Sequence, residues 1–407
     1  MKFRLNKKIY LDYASATPID SGVVKLMSSY DKDFFANPSS IHKSGVIVAG
    51  LIDDARKRIA KLLFADKNEI IFTGSGTESN ALAIIGVVNA YFESNPNGEI
   101  PHIVTTVIEH PSVLENCRML EDSNKAEITY VPVNKNGIVD PDNIKDSIKE
   151  NTILVSVMYA NNEIGTIEPI SEIAKEIRHY KKVRGGDSLY PYFHTDAAQA
   201  INYLPVENVE KLGVDLISFN SSKIYGPKGI GILFKKNKIK LSPIYRGGGQ
   251  EFGLRSGTEN VSLISGVAFA LEKTCKIKEK ESARLVLVRD YGISKLLELS
   301  KKYKFKIVLN GDKVNRLPNN INISIEGISS ELLVVELDAK GIEVSEKSAC
   351  HSSDENSSYV IKAIRKICKK NNEEEGSLRI SLGRETLKKD IDILVKELDS
   401  ILSKYNF

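Results

Sequence analysis

The chain has 407 residues, enough for about two or three domains with hydrophobic cores. Hydrophobic residues make up 42% of it and charged residues 27%, a balance typical of a folded globular protein and unlike that of a disordered chain. The net charge of +4 is too small to indicate direct nucleic-acid binding, and no apolar run reaches the length that crosses a membrane.

The four cysteines lie far apart and form no CxxC pair, which argues against a zinc site and against a disulfide framework. The first eight residues lack the apolar segment of a signal peptide. We therefore expect a cytoplasmic protein with no membrane contact and no metal centre.

Short apolar segments rich in β-branched residues alternate with amphipathic helical segments between Glu69 and Phe234. The predicted strands are 70–72, 102–107, 128–133, 153–158, 192–195 and 214–219, with helices at 77–88 and 170–180. This alternation predicts an α/β fold with a mostly parallel sheet in a large domain of residues 18–269.

The pattern changes after about residue 270, where a charged helix (271–299) leads to a strand (320–324) and a final helix (387–405). We expect a smaller α+β domain made of residues 1–17 and 270–407.

Lys223 follows the predicted strand 214–219 and precedes a turn rich in Gly and Pro. That position puts an amine at the carboxyl end of a strand, where α/β sheets bind ligands. A crowded or buried amine loses proton affinity and can form a Schiff base with an aldehyde. Taken alone, Lys223 is more simply interpreted as a surface lysine. The choice between a surface lysine and a Schiff-base lysine therefore depends on the other motifs.

The segment 73–80, Thr-Gly-Ser-Gly-Thr-Glu-Ser-Asn, follows a strand and opens a helix. Small residues at a helix N-terminus let backbone N–H groups approach a phosphate. The segment lacks the lysine of a P-loop and the third glycine of a dinucleotide fingerprint, so it fits neither motif. An ordinary helix cap at Thr77 is the alternative interpretation.

Other polar residues end predicted strands. Asp196 shares the sheet edge with Lys223, where a carboxylate can hold a pyridinium nitrogen protonated or can simply cap a helix. The segment 159–165 offers amide side chains for a phenolate oxygen. His110 can stack on an aromatic cofactor, or it is a solvated loop residue.

Cys350 lies in the small, polar segment 348–353 beside His351, a context that permits a reactive thiolate. Cys117 and Cys368 lie in helical patterns and are predicted to be inert core residues. Arg379 lies in an alternating strand pattern, where it can bind a carboxylate or form a structural salt bridge.

Together these motifs resemble those of the class V aminotransferase family, and specifically of NifS/IscS-type cysteine desulfurases. The resemblance extends from Tyr-Leu-Asp-Tyr at 10–13 almost to the C-terminus, with the order of the motifs preserved. It includes Asn-Pro-Ser-Ser-Ile-His at 37–42, Gly-Gly-Gly at 247–249, Arg-Ser-Gly-Thr at 255–258 and Arg-Ile-Ser-Leu-Gly-Arg at 379–384.

The resemblance implies a homodimeric fold type I enzyme with pyridoxal 5′-phosphate (PLP) as cofactor. It implies that Lys223 forms the Schiff base, Asp196 pairs with the pyridine nitrogen and His110 stacks on the ring. The remaining implied contacts are Asn162 and Gln199 to the ring oxygen, Gly76, Thr77 and either Asn220 or Ser222 to the phosphate, Thr258 to the phosphate of the other subunit, and Arg379 and Asn37 to the substrate.

The implied reaction converts L-cysteine to L-alanine and leaves a persulfide on Cys350, whose sulfur passes to an acceptor protein. Iron–sulfur cluster assembly and nucleic-acid thio-modification, such as DNA phosphorothioation, are the pathways considered. Ser222 stands where the family usually has a histidine, which implies a shorter and uncharged phosphate contact. The alternatives are a class V aminotransferase or selenocysteine lyase with the same PLP site, and a non-catalytic partner protein that kept the fold.

Overall fold

A computed structural model describes residues 8–185, 189–346, 358–365 and 377–405. Cys350 and Cys368 lie outside the described residues. Among the described helices, none is long and apolar enough to cross a membrane.

A seven-stranded sheet forms the centre of the molecule, in the order β2-β8-β7-β6-β5-β3-β4. Strands β7, β6, β5, β3 and β4 pair in parallel, and only β8 runs antiparallel to its two neighbours. The predicted mostly parallel sheet is therefore confirmed. Its strands are β2 (Ile70–Thr73), β3 (His102–Thr106), β4 (Glu127–Val131), β5 (Thr152–Ser156), β6 (Tyr192–Asp196), β7 (Leu216–Asn220) and β8 (Gly231–Lys235).

Helices cover both faces of this sheet, because its strands carry apolar side chains on both sides. Val104 and Val155 belong to one core, whereas Ile103 and Leu154 belong to the other. Each fully buried aliphatic side chain of this kind stabilises the fold by roughly 1.5–3 kcal/mol. The helices up to residue 212 are α1 (Ser21–Asp33), α2 (Lys43–Leu62), α3 (Gly76–Ser94), α4 (Pro111–Asp122), α5 (Pro141–Asp146), α6 (Ile170–Val183) and α7 (Val209–Leu212).

Smaller sheets lie beyond the central one. Strand β1 pairs in parallel with β11, while β10 pairs antiparallel with β9 and β12. These strands are β1 (Ile9–Tyr10), β9 (Ile307–Leu309), β10 (Asn320–Ile325), β11 (Ile342–Glu343) and β12 (Leu378–Ser381). The accompanying helices are α8 (Val261–Leu299), α9 (Ser330–Ala339), α10 (Tyr359–Arg365) and α11 (Lys388–Leu402).

Helix α8 begins ten residues before the predicted start at 271, because the Asn260 side chain caps it by accepting from the backbone N–H of Leu263. The helix runs without a break across the predicted domain boundary at 269/270. Gly266 lies against Met27 of α1, whereas Gly292 lies against Ile321 of β10. The division into two domains stays a prediction, with α8 as the element common to both parts.

Candidate active site

A cavity of about 180 Å³ lies at the carboxyl edge of the central sheet. This is the edge at which parallel α/β sheets bind ligands. The predicted site residues that line it are Gly76, Thr77, His110, Asn162, Asp196, Gln199, Asn220, Lys223 and Arg379. These residues come from distant parts of the sequence: the N-termini of α3 and α4, the segments at the ends of β5, β6 and β7, and β12.

Among the predicted site residues that the structure describes, three do not line this cavity. Ser222 contacts Asn220 instead, with 3.4 Å between its Oγ and Asn220 Oδ1. Thr258 lines a separate cavity of about 240 Å³ that also borders Gly74. Asn37 is exposed and accepts a hydrogen bond from the Ser39 backbone N–H at 2.9 Å. The roles predicted for these residues therefore stay predictions.

Asp196 is the last residue of β6, and only 7% of its surface is exposed. Its Oδ1 accepts from the Ala198 backbone N–H at 2.9 Å, and its Oδ2 accepts from Asn80 Nδ2 at 2.7 Å. Two donors on two different oxygens fix the plane of a carboxylate. Asp196 is therefore held in one orientation at the wall of the cavity.

Asn80 and Ser112 are site residues that the sequence analysis missed. Asn80 Nδ2 also donates to Ser112 Oγ at 2.8 Å, and Ser112 Oγ lies 2.8 Å from His110 Nδ1. The Ser112 backbone N–H donates to His110 Nδ1 at 3.1 Å, so neutral His110 carries its proton on Nε2. The position of Asn80 on the first turns of α3, directly after the phosphate-type loop, was the available signal.

Glu109 is fully buried beside this group. Its Oε1 accepts from Thr106 Oγ1 at 2.7 Å and from the Met158 backbone N–H at 2.9 Å. Burial, with a smaller contribution from the negative charge of Asp196, raises the pKa of Glu109 to about 8. The carboxyl is thus mostly protonated at neutral pH.

Lys223 lies directly after β7, as predicted, with its amine at the wall of the cavity formed by the N-terminal segment (residues 12–17). Its Nζ donates to the carbonyl oxygens of Ala14 at 2.8 Å and Ser15 at 2.5 Å. Gln199 Nε2 donates to the same Ala14 carbonyl at 3.0 Å. The N-terminal segment therefore holds two of the predicted cofactor-binding residues.

Arg379 lies on β12 and is 1% exposed, yet it borders the cavity. Its Nη2 donates to Asp12 Oδ1 at 2.9 Å and to Ser15 Oγ at 2.6 Å, and its Nη1 donates to the Asn162 carbonyl at 3.1 Å. The salt bridge that the sequence analysis gave as the alternative is therefore present. Arg379 also borders the cavity, so its guanidinium is in a position to bind a carboxylate there.

The loop before α3 provides an anion-binding cradle. Ser75 is the N-cap of the helix, since its side chain accepts from the Glu78 N–H at 3.1 Å, so the predicted alternative of a cap at Thr77 is wrong. A Cβ added to Gly76 would lie 3.1 Å from Asn220 Nδ2. Glycine thus lets the Asn220 side chain pack directly against the N-terminus of α3, where backbone N–H groups attract phosphate.

A model of the family described as "Aminotransferase class-V" matches residues 9–394. The chain belongs to this family. It is 43% identical over 400 residues to the cysteine desulfurase IscS of Dictyoglomus turgidum, covering 98% of this chain and 96% of the relative. Such similarity places it with the NifS/IscS-type cysteine desulfurases.

Two solved structures are similar to this member of the family. A NifS-like protein has a TM-score of 0.85 and 31% identity, covering 97% of this chain and 99% of the other. The protein SspA, in complex with cysteine, has a TM-score of 0.75 and 32% identity, covering 93% of this chain and 100% of the other. The fold is therefore that of the fold type I PLP enzymes.

The cofactor of the family is PLP, and the cavity fits it. A lysine amine, a fixed carboxylate and an anion-binding cradle all border the same space. Asn162 Oδ1 is buried there without a hydrogen-bond partner among the described residues. An unpaired buried acceptor costs about 1–3 kcal/mol, a cost that a polar group bound in the cavity can remove.

Proposed function

We propose that the protein converts L-cysteine to L-alanine with PLP and transfers the sulfur, as a persulfide on Cys350, to an acceptor protein. The observation that carries the proposal is the convergence of Lys223, Asp196 and Arg379 on one cavity. The chain is also similar, over nearly its full length, to cysteine desulfurases. This similarity favours the desulfurase over the aminotransferase, selenocysteine lyase and non-catalytic alternatives.

PLP, when bound, acts as an electron sink for the carbon next to the substrate amino group. We assign to Lys223 the covalent attachment of the cofactor and the movement of the proton at that carbon. Asp196 would pair with the ring nitrogen, because Asn80 and the Ala198 N–H fix the orientation of its carboxylate at the cavity. His110, whose Nδ1 accepts from the Ser112 N–H, would present an Nε2 proton to the bound ring.

Arg379 is our candidate for binding the substrate carboxylate, because a guanidinium pairs with a carboxylate through two parallel hydrogen bonds. Its side chain is buried against the N-terminal segment, and this burial excludes water, which strengthens such a pair. The carboxylate would then orient the substrate with its amino group toward Lys223.

Cys350 supplies the nucleophile in this proposal, although it lies outside the described residues. Its thiolate forms an S–S bond with the substrate sulfur as the C–S bond breaks, and the bonding electrons stay with the substrate carbon, which is then protonated. Overall, enzyme thiol and L-cysteine give enzyme persulfide and L-alanine, with no outside oxidant or reductant. The covalent intermediate divides a difficult transfer into two steps.

The acceptor belongs, in our proposal, to iron–sulfur cluster assembly or to nucleic-acid thio-modification. We also propose a homodimer. The support for it is a group of exposed apolar side chains between residues 35 and 47. Phe35 is 86% exposed and Ile41 98% exposed, and Val46 and Ile47 are also exposed. A cytoplasmic location stays a prediction from the sequence.

The decisive experiment incubates the protein with L-cysteine, measures L-alanine and maps the residue that bears the persulfide. Cys350→Ala is expected to abolish both persulfide and multiple-turnover alanine formation. The control is Cys275→Ala, which removes a half-buried thiol of α8 and is expected to leave both unchanged. Undiminished alanine formation by Cys350→Ala would refute the proposal.

A further inference from the structure

Ser15 joins the two cations of the cavity. Its backbone carbonyl accepts from Lys223 Nζ at 2.5 Å. Its hydroxyl accepts from Arg379 Nη2 at 2.6 Å and donates to Asp12 Oδ1 at 2.9 Å. Side chain and backbone of one small residue therefore contact both the lysine and the arginine on which the proposed function depends.

The donors of Arg379 restrict how a carboxylate can bind. Nη2 carries two hydrogens, and both have partners, Asp12 Oδ1 and Ser15 Oγ. Nε is buried and has no partner in the described part of the chain. A carboxylate binds two donors only along an edge that pairs Nη2 with Nε or with Nη1. Both edges include Nη2, so bidentate binding requires that one of its present partners leave.

The two partners of Nη2 differ in how strongly they hold it. Asp12 forms an ion pair with Arg379 whose side chains are 20% and 2% exposed, and breaking such a pair would leave a charge without its partner. The Ser15 hydroxyl is neutral, so its hydrogen bond to the guanidinium lacks the attraction between opposite charges that Asp12 adds. The hydroxyl is therefore the partner that costs less to displace.

We propose that the Ser15 hydroxyl occupies the position that one substrate carboxylate oxygen takes on Arg379, and that substrate binding displaces it while Asp12 stays paired. Ser15 is thus a positioning residue that sets affinity for substrates with a carboxylate. The proposal rests on the assignment of Arg379 to substrate binding made above. It predicts that removing the hydroxyl improves binding, the opposite of what a direct substrate contact would give.

The test uses the PLP-loaded enzyme and two ligands that differ only in the carboxylate, L-alanine and ethylamine. Binding is followed through the visible absorbance of the bound cofactor. Ser15→Ala, which keeps the backbone carbonyl that holds Lys223, is expected to bind L-alanine about two- to tenfold more tightly, since one hydrogen bond no longer has to break. Ethylamine affinity is expected to stay at the wild-type value.

Two controls accompany the test. Ser15→Thr keeps the hydroxyl and is expected to resemble the wild type with both ligands. Ser29→Ala removes an exposed hydroxyl that donates to the Leu26 carbonyl on α1 and is expected to change neither affinity. If Ser15→Ala fails to retain cofactor, Ser15→Cys preserves the side-chain volume with a weaker acceptor and takes its place.

Unchanged or weaker L-alanine binding in Ser15→Ala overturns the proposal. An equal shift for L-alanine and ethylamine also overturns it, because the effect would then not depend on the carboxylate. Alanine formation from L-cysteine by the wild type is measured in parallel. Its absence refutes the proposed function, whereas its presence without a carboxylate-specific shift refutes the Ser15 proposal alone.

Discussion

The Asn80 side chain donates to Asp196 Oδ2 at 2.7 Å and to Ser112 Oγ at 2.8 Å. Because Ser112 Oγ also lies 2.8 Å from His110 Nδ1, one chain of hydrogen bonds connects the carboxylate and the imidazole of the cavity. Asn80 Oδ1 is buried without a partner among the residues described here. The amide is therefore held through its donors, and its main effect is to orient Asp196.

Asn80→Ala is expected to weaken PLP binding by about ten- to hundredfold, since a hydrogen bond to a charged group contributes about 1.5–3 kcal/mol. The measurement is a titration of the apoprotein with PLP, followed by absorbance. Asn95→Ala is the matched control, because Asn95 ends the same helix and donates only to the Tyr91 carbonyl, in an exposed position. Equal PLP affinity in the two variants would contradict the role assigned to Asn80.

Gly76→Ala is expected to lower PLP affinity, because the added Cβ would lie 3.1 Å from Asn220 Nδ2 and would narrow the anion cradle. Gly50→Ala serves as control, since a Cβ on Gly50 of α2 would have no neighbour within 4 Å. The control is expected to keep PLP affinity and to gain about 1 kcal/mol of stability from higher helix propensity. A Gly76→Ala variant that binds PLP as the wild type does would show that the phosphate lies elsewhere.

The sequence predicted the sheet and much of the cavity because both follow from local patterns. Apolar strands with β-branched residues marked β3, β5 and β6, and the carboxyl ends of parallel strands share one edge. That rule alone predicts that Asp196 lies near Lys223. The start of α8 and the cap at Ser75 were missed, because several residues that can cap a helix stand close together in each segment.

Contacts between residues far apart in the sequence were not predicted. Asn80 and Asp196 are 116 positions apart, and Ser15 and Arg379 are 364 positions apart. Neither pair has a local signature, since each depends on how a helix or the N-terminal segment packs over the sheet. The sequence therefore named Arg379 as a substrate or salt-bridge residue without naming Asp12 as its partner.

Arg379→Lys is expected to raise the KM for L-cysteine by about ten- to hundredfold, because an ammonium cannot reproduce the two parallel hydrogen bonds of a guanidinium. The reduction in kcat is expected to be smaller. Steady-state kinetics measure the changes in KM and kcat separately, and cofactor absorbance checks that the PLP site is intact. Arg118→Lys on the exposed face of α4 is the control and is expected to leave both constants unchanged. A KM equal to that of the wild type would remove Arg379 from substrate binding.

Glu109→Gln is expected to change how stability depends on pH. Burial raises the Glu109 pKa from its usual 4.5 to about 8, so between these values the unfolded chain is ionised while the folded protein keeps the proton. The unfolded state then binds fewer protons, and the wild type loses stability as pH rises from about 4.5 to about 8.

Glutamine preserves the acceptor for Thr106 and Met158 and does not titrate, so this loss disappears in Glu109→Gln. The stability of the variant relative to the wild type should therefore increase by a few kcal/mol between pH 5 and pH 8, at about 1.4 kcal/mol per pKa unit. Urea unfolding at the two pH values measures the difference, with Glu115→Gln on the exposed face of α4 as control. A difference that stays constant with pH would mean that Glu109 is ionised in the folded protein.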